Sequence, residues 1–131
     1  MILVDTSVLI DFFKGNTNKA VEKLINIVEQ NIPFGISPFT YIEILQGSKT
    51  EKEFELLDEY LITQIFYQLK HPIKSFAEAA KIRIKCKKNG ITINSTIDFL
   101  IVQTAIDNNL FLLHNDKDFD KISKIIELKI Y

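Results

Sequence analysis

The sequence predicts an α/β protein, an α/β/α sandwich over a mostly parallel sheet. Three observations carry that reading. Short runs of consecutive apolar residues, Ile2-Leu3-Val4 and Leu110-Phe111-Leu112-Leu113, call for burial on both faces, as strands inside a parallel sheet do. Between the strand-like runs lie longer stretches with apolar residues at helical spacing. Helix-start residues follow the strand runs directly, which suits strand–helix–strand crossovers.

The elements follow in order. The first strand ends on Asp5, and Ser7 stands where it would cap a helix through Val8-Leu9-Ile10-Asp11-Phe12-Phe13. Asp5 has two readings: a helix cap, or a carboxylate at the carboxyl end of a buried strand, where open α/β sheets place their ligands. After a turn at Lys14-Gly15-Asn16-Thr17, residues 18–30 carry Ala20, Val21, Leu24, Ile25, Ile27 and Val28 at helical spacing. Asn31 ends that helix, and Ile32-Pro33-Phe34-Gly35-Ile36 is a second strand with its proline near the start. Ser37-Pro38 opens a third helix that runs to Gln46 and stops at Gly47. Glu43 in this helix lies either on a solvent stripe or in a site, since the amino end of the helix points at the same sheet edge as Asp5.

Residues 50–62 read as a fourth helix with Phe54, Leu57, Tyr60 and Leu61 inward, and Thr63–Tyr67 as a strand. His71-Pro72 breaks the chain before a long helix from Ile73 to Lys88. Its second half is basic, with Lys81, Arg83, Lys85, Lys87 and Lys88. That face is either plainly solvated, its cations suiting a helix carboxyl end, or a phosphate-contacting patch with Lys81, Lys85 and Lys88 as candidate RNA contacts. Ser95 and Asp98 then stand at capping-box spacing ahead of Phe99–Ile106, which is apolar nearly all round and therefore buried. A carboxylate in the first turn of a buried helix is costly unless it is paired or binds a cation. Asp107-Asn108-Asn109 turns the chain into the strand Leu110–Leu113, followed by the acidic loop His114–Asp120, a short helix over 121–126 and an edge strand at Leu128–Tyr131.

Composition bounds the function. The chain is 47% hydrophobic and 25% charged, with a net charge of −1 and a pI of about 6.1. These values fit one globular domain over residues 1–131 and exclude a globally basic nucleic-acid binder. One cysteine, Cys86, rules out an internal disulfide and a cysteine-rich metal site, and a reducing cytoplasmic setting fits. No apolar run is long enough to span a membrane, and the amino terminus enters a strand directly in place of a cleavable leader. His71 and His114 are isolated, so zinc is not indicated.

Asp5, Glu43, Asp98 and Asp116 share no local motif. Their common property is position at the carboxyl edge of the expected sheet. Four carboxylates gathered there repel one another, and a hard divalent cation resolves the repulsion. Mg²⁺ fits, with Mn²⁺ able to substitute. A cation held this way serves phosphoryl chemistry by acidifying water and neutralising developing charge.

The same residues carry a family resemblance. Ile2-Leu3-Val4-Asp5-Thr6-Ser7-Val8-Leu9-Ile10-Asp11 resembles the opening of PIN-domain proteins, in particular the VapC-type toxins of toxin–antitoxin pairs. Tyr41–Gly47, Ser95–Ile101 and Leu112–Phe119 resemble the three later blocks, in the family's order. The resemblance implies a PIN-like fold and an Mg²⁺-dependent endoribonuclease with Asp5, Glu43, Asp98 and Asp116 as its acidic site, both catalytic and metal-holding. It implies support from Thr6 or Ser7, an RNA substrate, a small cognate antitoxin and a homodimer. His114 departs from the threonine common at its position and is read as a supporting or substrate-side residue. The fourth acid is Asp116 or Asp118. Asp116 is nearer the strand end, and Asp118 would then cap the last helix. Two other classes stand beside the nuclease: a catalytically silent PIN-like module binding RNA or protein, and a signalling domain with Asp5 as phosphoacceptor, which Thr6-Ser7 disfavours.

Overall fold

A computed structural model describes residues 1–131. The elements run β1 (Ile2–Val4), α1 (Thr6–Phe13), α2 (Lys19–Glu29), β2 (Phe34–Ile36), α3 (Pro38–Gln46), α4 (Glu51–Leu61), β3 (Ile65–Phe66), α5 (Lys74–Lys88), α6 (Thr96–Asp107), β4 (Phe111–Leu113) and α7 (Lys117–Ser123). The four strands pair in the order β3-β2-β1-β4, and every pairing is parallel. β1 is thus an inner strand, with Leu3 beside Gly35 on one flank and Leu112 on the other.

The pleat of these short strands divides the core in two. Leu3 and Leu112 face Ala79, Ile82 and Cys86 of α5, Phe99, Ile101 and Val102 of α6, and Phe119 and Ile122 of α7. Ile2, Val4, Ile36 and Leu113 face Val8 and Leu9 of α1, Ala20, Leu24 and Ile27 of α2, Ile44 and Leu45 of α3, and Leu61 of α4. Helices therefore cover both faces, as expected for strands apolar on consecutive residues. Ile2, Leu3, Val4, Leu112 and Leu113 are each at most 2% exposed, which anchors the carboxyl edge of the sheet in rigid packing.

Several local expectations change. Asp5, not Ser7, caps α1: its carboxylate accepts the Ser7 N–H, and Ser7 lies inside the helix. Phe54 and Tyr60, expected inward, are 42% and 41% exposed because α4 packs on α3 at the rim and sends only Leu61 fully into the core. The expected edge strand at 128–131 is a single parallel bridge from Ile130 to Leu112, since two backbone bonds from Lys129 and Tyr131 are all the chain makes there. At β2, a side chain at Gly35 would put its Cβ 2.5 Å from the Ile65 carbonyl oxygen and 2.7 Å from the Tyr67 ring, so close approach of β3 requires glycine.

Candidate active site

Each acidic residue reaches the carboxyl edge of the sheet by a different local device. Asp5 follows β1 directly, with its backbone N–H bonded to the Leu113 carbonyl at 2.9 Å. It is 4% exposed. Its Oδ2 accepts the Ser7 N–H at 3.0 Å and the Ser7 hydroxyl at 2.6 Å. Burial raises its pKa above the usual carboxylate range, the Ser7 bonds oppose that, and the Glu43 charge adds to it.

Glu43 comes from α3, which Ser37 caps through a hydroxyl bond from the Thr40 N–H at 3.1 Å. The Thr6 hydroxyl donates to Glu43 Oε1 at 2.7 Å, and the Thr6 hydroxyl oxygen itself lies 3.1 Å from the Thr40 hydroxyl. Ser37 and Thr40 are fully buried and Thr6 nearly so. A buried hydroxyl chain thus holds the Glu43 carboxylate against the residue that follows Asp5. Glu43 is thus half-buried and hydrogen-bonded beside Asp5, not free on a solvent stripe.

Asp98 stands in the first turn of α6, where its N–H reaches the Ser95 hydroxyl at 3.4 Å. The cap bond is made by the serine, and the aspartate carboxylate is directed elsewhere. Oxygens of Asp98, Asp116 and Asp118 lie within 4.8 Å of one another. The Asp98 pKa is pushed up to about 7, first by burial and then by the charges of Asp5, Asp116, Glu43 and Asp118. All five acids therefore share one electrostatic neighbourhood.

The last two sit on the loop after β4. Asp116, not Asp118, caps α7, accepting the Asp118 N–H at 2.9 Å. The choice between them dissolves: one is the cap, the other is in the first turn, and both face Asp98. Lys121 lies 3.7 Å from Asp118. His114 is packed beneath this loop with its side chain 6% exposed. Its Nδ1 accepts the Asp116 N–H at 3.1 Å, its Nε2 lies 3.3 Å from Asp120, and its ring packs on Phe119. These contacts place His114 where it shapes the turn that carries Asp116.

Sequence reasoning passed over three residues. Thr40 links Thr6 to the cap of α3. Asn115 donates its backbone N–H to the Ser7 hydroxyl oxygen at 3.0 Å and its side-chain amide to Asp11 Oδ2 at 3.0 Å. Asp11 also accepts from Asn16 and Asn18, and the amides of Asn16, Asn115 and Asn18 hold its carboxyl below the usual range. The available signal was Thr40 one turn before Glu43 on the same helix face. Lys81 and Lys85 lie on exposed α5 and line a shallow groove with Gln103 and Ile106, toward the carboxyl half of α6, and Lys81 contacts Glu78 at 3.4 Å. Lys88 is exposed at the end of α5. The groove lined by Lys81 and Lys85 contains none of the five acids.

A parallel α/β sheet that gathers carboxylates from four separate chain segments at its carboxyl edge defines an acidic, oxygen-donor site of the kind that holds a hard divalent cation. The family model of the PIN domain matches residues 2–125, and the chain belongs to that family. It is 35% identical to Ribonuclease VapC1 of Methanocaldococcus jannaschii over 132 aligned positions, covering 99% of this chain and 86% of that protein. It is 28% identical to Ribonuclease VapC11 of Mycobacterium tuberculosis over 130 positions, covering 98% of this chain and 96% of the relative. Among solved structures, the fold matches VapBC2 from Rickettsia felis bound to a promoter DNA fragment, with a TM-score of 0.76 and 19% identity, over 100% of this chain and 98% of that one. It also matches VapBC from Salmonella typhimurium, with a TM-score of 0.74 and 18% identity, over 99% and 96% of the two chains.

Proposed function

We propose that this chain is a single PIN-like domain acting as a divalent-metal-dependent endoribonuclease, the toxin of a toxin–antitoxin pair. The observation that carries the proposal is the convergence of Asp5, Glu43, Asp98, Asp116 and Asp118, with Asp98 at a pKa of about 7. The ribonuclease names of its relatives support the reaction class. The VapBC complexes that share its fold support a small antitoxin as partner. A homodimer in the cytoplasm is part of the same proposal. No helix is long and apolar enough to cross a membrane.

The donor set fits Mg²⁺ or Mn²⁺: every candidate ligand is a carboxylate oxygen, and three of them lie within 4.8 Å of one another. When bound, such a cation supplies charge neutralisation at a phosphodiester and a more acidic water. The remaining work falls to this chain's residues. Ser7 fixes Oδ2 of Asp5 through two hydrogen bonds. Thr6, backed by Thr40, fixes Oε1 of Glu43. His114 and the Asp116 cap fix the loop that presents Asp116 and Asp118 to Asp98. Rigid placement of donors before substrate arrives is the protein's main contribution to a reaction of this class.

The test is incubation of the purified chain with single-stranded RNA in Mg²⁺, in Mn²⁺ and in EDTA, beside Asp5→Asn and Asp98→Asn. Internal cleavage that requires metal and is lost in both variants is the expected result. Intact RNA in every metal, or cleavage surviving in both variants, sinks the proposal and leaves a silent binding module.

A further inference from the structure

The acidic site needs a positive counterpart if a polyanion is to lie across it, and Lys81 and Lys85 line a groove toward the other end of α6. We infer that Arg83 binds a phosphate of the RNA strand beside the acid cluster; this rests on the nuclease reading.

Arg83 is the only arginine among the 16 cationic side chains. It lies in α5, which runs antiparallel to α6: Ser75 near the start of α5 bonds Asp107 at the end of α6, and Arg83 meets Thr96 at the start of α6. The half-buried Arg83 side chain therefore lies by the turn of α6 that carries Asp98, two residues beyond Thr96.

Its surroundings give it no structural occupation. Its one side-chain hydrogen bond is Nη1 to Thr96 Oγ1 at 3.5 Å, the outer limit for such a bond. No carboxylate lies within ion-pair distance: the ion pairs of the molecule are Lys81–Glu78, His114–Asp120 and Lys121–Asp118. On the other rim of the cluster, Lys121 is thus committed to Asp118, while Arg83 is uncommitted. The last turn of α5 already has Lys85, Lys87 and Lys88 to complement its own dipole. A planar guanidinium suits bidentate binding of a phosphate. A strand crossing the acids would set one phosphate at the carboxylate cluster and a neighbouring one on Arg83.

The test measures binding of a labelled mixed-sequence single-stranded RNA by the full chain, with Ca²⁺ in place of Mg²⁺ and RNA integrity checked on a gel. Wild type, Arg83→Gln, Arg83→Met, Arg83→Lys and a Lys81→Gln/Lys85→Gln double variant are compared across salt concentrations. The Met variant keeps the length of the apolar stem, and the Gln variant keeps its polarity. Loss of a charged phosphate contact is expected to weaken binding about tenfold in both neutral variants. The slope of log K against log salt should shrink by about 0.7. Arg83→Lys should restore the slope. The Mg²⁺-induced rise in melting temperature should match wild type in every Arg83 variant, which separates this role from damage to the acids. Unchanged affinity and slope in the neutral variants, or a greater loss in the double lysine variant, overturns the assignment while leaving the nuclease reading intact. A wild-type protein that responds to Mg²⁺ but binds no RNA removes both.

Discussion

Asp98 combines burial with the repulsion of four neighbouring carboxylates. Its pKa of about 7 stands above the ordinary 3.8, so the folded chain holds this proton more tightly than the unfolded chain does. The sign follows. Below about pH 4 both states are protonated and the group has no effect. As pH rises from about 4 to about 7 the unfolded chain gives up the proton first and metal-free stability falls; above 7 the penalty is complete. The raised pKa of Asp5 acts in the same direction. Asp98→Asn should therefore melt higher than wild type in EDTA at pH 8 and no higher at pH 4, while losing its thermal response to Mg²⁺. Scanning calorimetry at the two pH values checks this, and a variant melting below wild type at pH 8 refutes it. Thr6 offers a second test. Thr6→Val deletes the hydrogen bond to Glu43 and should lower stability by about 1.5–3 kcal/mol in urea unfolding, with a loss of cleavage that Thr6→Ser restores. Asp5, Asp98 and Asp116 stood out because each follows a strand end or opens a helix on that edge, whereas Glu43, in the second turn of α3, was open between two readings. Thr40, Asn115 and Asp11 did not stand out, because a polar residue bonded across more than 30 positions leaves no periodicity behind it.

At the scale of elements, the alternation of strand and helix was readable from apolar runs and start residues, and α6 was recognised as buried from its composition. What escaped was which neighbour performs each cap. Asp5 and Ser7 are both competent caps by residue type, and so are Asp116 and Asp118; the winner is set by where the backbone leaves the strand, which needs the sheet in place. Phe54 and Tyr60 misled for a related reason: helical spacing identifies one face of α4 but not how far the rest of the protein extends to meet it. Close packing between β2 and β3 gives a sharp test. Gly35→Ala would drive a methyl group into the Ile65 carbonyl and the Tyr67 ring. The expected cost is about 1–3 kcal/mol, read as a lowered urea midpoint at unchanged m-value. A neutral result would mean that β3 yields freely.

At the scale of the molecule, mutual repulsion among the five acids is relieved by a proton on Asp98 below about pH 7, and above it a bound cation would do the same. Mg²⁺ or Mn²⁺ at a hundredfold excess over Kd should add about 2.7 kcal/mol of stability. A thermal scan without any shift would mean that no cation is held. Net charge of −1 gives no global attraction for RNA, so affinity has to be local, and its salt dependence should report few contacts.

Chain order adds a last consequence. β1 occupies residues 2–4 but is flanked by β4 at residues 111–113, and the acids of the final loop come later still. During synthesis the first strand lacks its β4 neighbour until residues 111–113 have emerged from the ribosome. The proposed cutting centre is therefore incomplete until the segment after β4, with Asp116 and Asp118, has been made.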